Sequence, residues 1–382
     1  MSLQQITAND IASLPSGSVS NTQFATGAVE NYMNSQGTSF GFRNKIINGA
    51  MVIDQRNAGA TVTPLNGTYT LDRWKCSFAQ ASKFTVGQSS TAPTGFNNSL
   101  LATVASAYSI TSTDYFLISQ KVEGFNSADL MWGTANAKTV TISFWVNCSV
   151  TGTFAVTILN GANNRSYPAT YTINSANTWE QKSITIAGDT SGTWLTTNGI
   201  GLDIYWNLGT GSTYSGTANT WSGSTYYSAT GATSVVGTNG ATFYITGVQL
   251  EKGSVATPFE YRHYGTELNN CLRYYWKYLP ATTSIYLPLV MSPYAANSFF
   301  GAMTLPVPMR TGPTFSYSAL SGWISTTGTQ NGGAMTSWTQ TASSPYSANF
   351  GAINTNNNFS LLAVVYIAPN SSSDWIAFSS EL

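Results

Sequence analysis

From Asn44 to about Gly265, apolar and polar residues alternate in short runs broken by Gly, Asn, Ser and Pro. A period of two sends successive side chains to opposite faces of a strand, so each run buries one face and leaves the other polar. The clearest runs are TYTLDRWKCSF, DYFLISQKVEG, KTVTISFWVNC, GTFAVTIL, TWEQKSITIAG, GIGLDIYWNL and ATFYITGVQL, with β-branched or aromatic residues at every second position. Roughly ten strands follow from that rule. Two packed antiparallel sheets would bury them.

Three stretches depart from this texture. Gly209 to Gly240 is rich in Gly, Ser and Thr with embedded tyrosines and a tryptophan, longer than an ordinary connection and read as a functional loop or partly strand. In GTELNNCLRYYWKY the residues Leu268, Cys271, Leu272 and Tyr275 recur at helical spacing and predict one helix, with Thr266 as its N-cap. The first forty residues have no sustained period and are punctuated by Pro15, Gly17, Gly27 and Gly37. Val29, Tyr32 and Met33 allow a short helix around Thr26 to Met33, too small to bury itself alone.

After Pro280 the β texture resumes in SIYLPLVM, SFFGAMTLPVPM, PTFSYSAL, SLLAVVYIAP and WIAFSSEL, a second domain of about a hundred residues. The expected architecture is all-β: an extended arm at 1–42, an antiparallel β-sandwich at 43–264, a linking helix at 265–279 and a smaller C-terminal β domain at 280–382. No self-similarity at a fixed period is visible, which argues against a parallel β-helix.

Charge and cysteine content narrow the partners. Only 8% of the 382 residues are charged and the net charge is zero. Ile204 to Leu250 and Thr311 to Ser373 contain no Asp, Glu, Lys or Arg, so neither neutralises a nucleic-acid backbone or an anionic membrane. With 42% hydrophobic and 13% aromatic residues the chain has ample apolar area to fold. The cysteines Cys76, Cys148 and Cys271 form no CxxC pair, and Cys76 and Cys148 fall on apolar strand faces, so buried inert thiols are expected. Neither a leader nor an apolar run of about 18 residues is seen, so neither export nor membrane insertion is expected and assembly in a cytoplasm follows.

The run FRNKIINGAMVIDQR, then YTLDRWK, ISQKVEG and KTVTISFWV, and finally TFYITGVQLEKGSVATPFEYRHYGTELNNCLRYYWKY, resembles a domain of tail fibres of tailed phages in both order and spacing. The resemblance covers about Phe42 to Tyr278, and MTLPVPMRTGPTF looks like the start of the companion tip domain. It implies a jelly-roll sandwich similar to carbohydrate-binding modules and a homotrimer on a virion appendage that touches the host surface. The fibre would be assembled in the host cytoplasm. The arm would attach it to another tail, baseplate or fibre protein.

Catalytic chemistry is thin. The single histidine, His263, sits beside Arg262 and Tyr264 before the predicted helix and reads as structural. A glycosidase needs two carboxylates about 5 to 9.5 Å apart, and Asp189, Asp203, Glu180 and Glu251 cannot be paired from sequence. Asp72 with Arg73, and Glu251 with Lys252, read as ion pairs holding loops or subunit contacts. Asp54, Asp72 and Glu251 offer hard oxygen ligands for a structural calcium, but no DxDxDG loop accompanies them.

Sugar rings stack on aromatic faces while neutral amides and hydroxyls read their hydroxyl groups. Two clusters fit that need. One is Tyr214, Trp221, Tyr226 and Tyr227 in the excursion, the other Trp323, Trp338 and Tyr346 in the tip, and their charge-free surroundings suit a neutral polysaccharide. Most rings in such a chain serve cores and interfaces instead. The expected function is a non-enzymatic tail-fibre subunit that adsorbs to a host polysaccharide or lipopolysaccharide. The alternatives are a fibre-borne depolymerase with carboxylates at a subunit interface, and a purely structural spacer or whisker.

Overall fold

The computed structural model describes residues 42–280, 282, 287, 289–295, 297–318, 323–326, 331–354, 365–369 and 371–382, with side chains at 290, 323–326, 331–334 and 354 excepted. The expected arm, with the short helix inside it, lies outside the described residues except for Phe42.

The fold is an antiparallel β-sandwich of jelly-roll type followed by one helix and a β-barrel. Its first strands are β1 (Tyr69–Leu71), β2 (Trp74–Phe78), β3 (Phe84–Ser89), β4 (Ser99–Val104), β5 (Tyr115–Glu123), β6 (Val140–Cys148) and β7 (Gly152–Leu159). There follow β8 (Ser166–Ile173), β9 (Glu180–Ile186), β10 (Ile200–Thr210), the short β11 (Ser215–Gly216) and β12 (Ser228–Ala229), and β13 (Thr242–Lys252). A six-stranded sheet runs β1-β2-β5-β10-β7-β8 and a five-stranded sheet runs β3-β4-β13-β6-β9.

The core between them is what the alternation predicts. Val140, Ile142, Phe144, Val146 and Cys148 of β6 are all fully buried, facing Trp74 and Trp206 of the opposite sheet, whose rings lie 5.4 Å apart, with Phe144 at 5.8 Å from Trp206. The three thiols are free and buried. Burial pushes Cys76 up to about 12 and Cys148 up to about 11, so neither forms a thiolate at neutral pH.

Two local readings are corrected. TYTLDRWKCSF is a hairpin and not one strand: Leu71 pairs with Trp74 across a turn at Asp72 and Arg73, where Arg73 adopts φ 70°. The side chain compensates for that backbone, because its guanidinium lies over the Tyr274 ring at 3.6 Å and bonds Glu381 and the Lys121 carbonyl. The helix α1 spans Tyr264–Leu272 with His263 at its N-cap and no side-chain cap, so Thr266 lies inside it. Tyr275–Tyr278 leave the helical pattern to form β14. There Trp276 stacks on Phe378 at 5.4 Å, and tertiary pairing of aromatic residues overrides a marginal helical period.

Beyond β14 come β15 (Val290–Ala295), β16 (Ser298–Thr304), β17 (Thr314–Tyr317), β18 (Trp323–Thr326), β19 (Asn331–Ser343), β20 (Ser347–Asn354), β21 (Val365–Pro369) and β22 (Ile376–Ser379). Six of them close a barrel in the order β15-β16-β20-β19-β18-β21, and β14-β22-β17 form a small sheet against it. Met291, Phe299, Met303, Trp338, Phe350 and Phe378 are among the residues that fill this second core.

Candidate functional site

Phe116, Ile118 and Val122 of β5, and Leu202, Ile204, Trp206 and Leu208 of β10, point into the sandwich core. Alternation therefore sends Leu117, Ser119 and Lys121, and Asp203, Tyr205 and Asn207, to the outer face of the six-stranded sheet. Register sets them in rows. Lys75, Ser119, Tyr205 and Thr157 lie side by side across β2, β5, β10 and β7, and Lys121, Asp203 and Leu159 form the next row.

The excursion between β10 and β13 folds back over one end of this face. Its parallel pair β11 and β12 is reinforced by the Tyr227 N–H donating to the Tyr214 carbonyl at 2.8 Å. The Tyr227 ring then lies 5.2 Å from Tyr205, 5.4 Å from Tyr115 and 5.1 Å from Tyr214. Tyr115, Tyr214 and Tyr227 are half-buried, and Tyr205 beneath them is buried. Tyr115 and Tyr227 pack on the buried cluster of Leu117, Leu159 and Tyr205, so the bank of tyrosines adjoins a polar floor. At the opposite end Tyr69 donates to the Leu382 carbonyl at 2.8 Å.

The floor has unused hydrogen-bonding capacity. Ser119 Oγ, Thr157 Oγ1 and Asp203 Oδ1 are buried without a partner among the described residues. Asp203 Oδ2 accepts from the Tyr205 hydroxyl at 2.6 Å and stands 3.9 Å from Lys121 Nζ. Burial pushes the Asp203 carboxyl above its ordinary range against the pull of Lys121 and Tyr205. Burial likewise lowers the Lys121 ammonium, although Asp203 holds it up.

The aromatic candidates are distributed differently from the sequence expectation. Tyr214 and Tyr227 belong to the tyrosine bank. Tyr226, half-buried, fills the space above Gly216, where a Cβ would come within 2.2 Å of its ring. Trp221 is a packing residue: it lies 5.3 Å from Trp132, 5.6 Å from Trp194 and 5.1 Å from Tyr167, and its Nε1–H donates to the Ala187 carbonyl. Trp338 is corrected from platform to core, 2% exposed and stacked on Tyr317 at 5.6 Å. Tyr346 is exposed in the turn before β20, and Trp323 falls in β18 with its side chain outside the described residues.

The polar candidates are mostly occupied. Asp189 takes a two-point contact from Arg165 at 2.6 and 2.7 Å, and Glu180 accepts from the Asn174 and Ser175 N–H groups and Lys182. Glu251 accepts from Gln249 and Thr257, so it does not pair with Lys252, which faces Asp129 at 3.6 Å. Asp72 likewise bonds Gln55 and not Arg73. Asp54 caps the Asn57 and Gly59 N–H groups. Thus the three calcium candidates are each engaged locally, and among the described residues no three His, Cys, Asp or Glu side chains converge. His263 is exposed at the helix start.

Sequence reasoning missed Tyr115, Tyr205, Lys75, Lys121, Ser119 and Thr157. The signal was present: they are the polar half of the alternations whose apolar half predicted the core. A separate cleft of about 100 Å³ is lined by Phe96, Phe259 and Tyr261, whose rings lie 4.9 to 5.5 Å apart. Its carboxylates Glu260 and Glu267 bind Arg262 and backbone N–H groups.

No protein-family profile matches the chain, and no curated protein sequence matches it. Among solved structures it is similar to a putative sugar binding protein from Bacteroides thetaiotaomicron, at 14% identity and TM-score 0.33, over 55% of this chain and 100% of that one. It is also similar to TmCBM61 in complex with β-1,4-galactotriose, at 12% identity and TM-score 0.29, over 56% and 100%. A third is the enzymatically active domain of tailspike protein 4 of bacteriophage CBA120, at 14% identity and TM-score 0.30, over 55% of this chain and only 21% of that one. Likenesses of this size carry no inference about what the chain binds.

Proposed function

We propose that the chain is a non-enzymatic subunit of a phage tail fibre that adsorbs to a host-surface glycan through the outer face of the six-stranded sheet. One observation carries this reading: half-buried Tyr115, Tyr214 and Tyr227 stand beside Ser119, Thr157 and Asp203 oxygens that have no partner among the described residues. A pyranose offers an apolar C–H face to the rings and hydroxyls to the floor. A buried polar group without a partner costs about 1–3 kcal/mol, which a bound sugar hydroxyl offsets.

The virion assignment rests on the sequence blocks that resemble tail-fibre domains, and with it come the homotrimer and attachment through residues 1–42. Exposed Phe300 and Ile353 on the barrel exterior are apolar surface of the kind a subunit contact covers. Binding without cleavage is supported by the carboxylates on the sheet face. The one diagonal to Asp203 is Glu123, and its oxygens are held by Arg273 at 2.6 and 2.9 Å and by the Tyr274 hydroxyl at 2.7 Å. No second free carboxylate faces Asp203 among the described residues, as hydrolysis of a glycoside requires.

The test incubates purified protein with host cells and follows both retention and released reducing sugar. Retention without release, lost in Tyr227→Ala with Tyr115→Ala, is the expected result. Sugar release abolished by Asp203→Asn favours the depolymerase, and retention that ignores the tyrosines overturns the site. A monomer in analytical ultracentrifugation contradicts the trimer.

A further inference from the structure

Among the described residues, Lys75 and Lys121 share the tyrosine face with one carboxylate not tied to an arginine, Asp203. Lys75 pairs across the strands with Ser119, so Lys121, two residues further along β5, is its diagonal neighbour, within reach of long side chains. Lys121 faces Asp203 at 3.9 Å. Lys75 is half-buried and makes no ion pair among the described residues; its ammonium lies 5.8 Å from the Tyr69 ring. The nearest arginine adds nothing to neutralise, since Arg73 is committed to Glu381 and the Lys121 carbonyl. The face therefore carries an excess positive charge. In the row beside Lys75, the Ser119 hydroxyl is fully buried and without a partner among the described residues.

We infer that this face selects sugars bearing an anionic group, a carboxylate foremost, held by the Lys75 and Lys121 ammonium groups and the Ser119 hydroxyl while the ring stacks on Tyr115 and Tyr227. The inference rests on the glycan-binding reading and names its ligand class, replacing the neutral polysaccharide that the charge-free excursion suggested. Asp203 faces the same space with its charge offset by the Lys121 ammonium at 3.9 Å and its Oδ2 engaged by Tyr205, which leaves Lys75 as the unbalanced charge. Its Oδ1 remains to accept a sugar hydroxyl. An ammonium pair around a carboxylate in a partly desolvated site is the arrangement in which charge-assisted hydrogen bonds contribute most.

The experiment measures binding of the full chain to arrayed acidic polysaccharides, among them oligogalacturonate, alginate and polysialic acid, each beside its carboxyl-reduced counterpart. The expected result is preference for at least one acidic member over its reduced twin by roughly tenfold or more, weakening as salt rises. Lys75→Gln collapses that preference and Lys75→Arg restores it, with thermal unfolding confirming that each variant is folded. Equal binding of acidic and reduced members, still dependent on the tyrosines, overturns the anionic selection and leaves the glycan site standing. No binding to either set overturns both.

Discussion

Asp72 is fully buried at the turn between β1 and β2, where its oxygens accept from the Gln55 N–H at 2.7 Å and the Gln55 side-chain amide at 2.6 Å. Burial pushes its carboxyl up to about 6 from 3.8, against the attraction of Arg56 and the two hydrogen bonds. A carboxyl raised on folding binds its proton more tightly in the native state. Its contribution is fully present below the unfolded value and is lost as pH rises through about 6. Glu180 has the opposite sign: burial alone would raise it, but Lys182 and the Asn174 and Ser175 N–H groups hold it near 2, so its contribution is lost only in strong acid. The unfolding free energy of the wild type in urea titrations should fall from about pH 4 to pH 7 more steeply than that of Asp72→Asn, by not more than about 3 kcal/mol. Parallel curves for the two proteins would contradict this. Charges at this scale were poorly legible in sequence. The neighbours Asp72 and Arg73 read as a pair, yet a residue with φ 70° turns its side chain away, and their partners lie at Gln55 and Glu381. Trp338 was misread for a similar reason: Gly, Ser and Thr around a tryptophan describe the outside of a strand as well as they describe a binding loop.

Most of the longer sandwich strands were legible in the alternation. β5, β6, β7, β9, β10 and β13 fall where the alternation placed them. β19 and β20 went unread because their outward positions are mostly Ser, Thr, Asn and Gly, and among the described side chains the inward stripe is Met335, Trp338, Ala348, Phe350 and Ala352. The candidate site shows the same asymmetry. Its tyrosine bank was half legible, through Tyr214 and Tyr227, whereas its floor depends on register between β2, β5, β10 and β7, which no single run of sequence contains. The excursion is the element on which the site depends, and Gly216 in β11 is a tight point in it, since any Cβ there meets the Tyr226 ring at 2.2 to 2.7 Å. Gly216→Ala should displace Tyr226 and loosen the β11 and β12 pairing, at about 1–3 kcal/mol for overpacking. Hydrogen exchange should then quicken at the Tyr227 amide, which is bonded to the Tyr214 carbonyl, and glycan retention should weaken. Unchanged exchange there would mean that the ring moves aside freely.

At the scale of the whole molecule, a chain with few charges gathers many of them where sandwich and barrel meet. Glu381, just after β22, accepts from half-buried Arg56 at 2.8 Å and from buried Arg73, both on the sandwich side. Arg310 donates to the Ser380 and Glu381 carbonyls at 2.7 and 2.9 Å and to Asn198 at 2.9 Å. Arg56 and Arg73 each lie 3.6 Å from a tyrosine ring, Tyr275 and Tyr274, on the segment leaving the helix. The helix is therefore only part of the link that sequence assigned to it. The other part is this tail, whose partners are separated by up to 325 positions and so leave no local signal. Two separate apolar cores unfold together only if the contacts between them are strong. Replacing Glu381 by Ala leaves buried Arg73 and half-buried Arg56 without the carboxylate they share, which costs up to about 3–5 kcal/mol when no partner substitutes. Calorimetry of the wild type should give one transition, and Glu381→Ala should split it into separate meltings of barrel and sandwich. The tyrosine face lies on the sheet that carries this junction, so retention on cells should fall once the barrel melts although the sandwich remains folded. A single, unshifted transition in the variant would mean that the helix and β14 alone hold the two cores together.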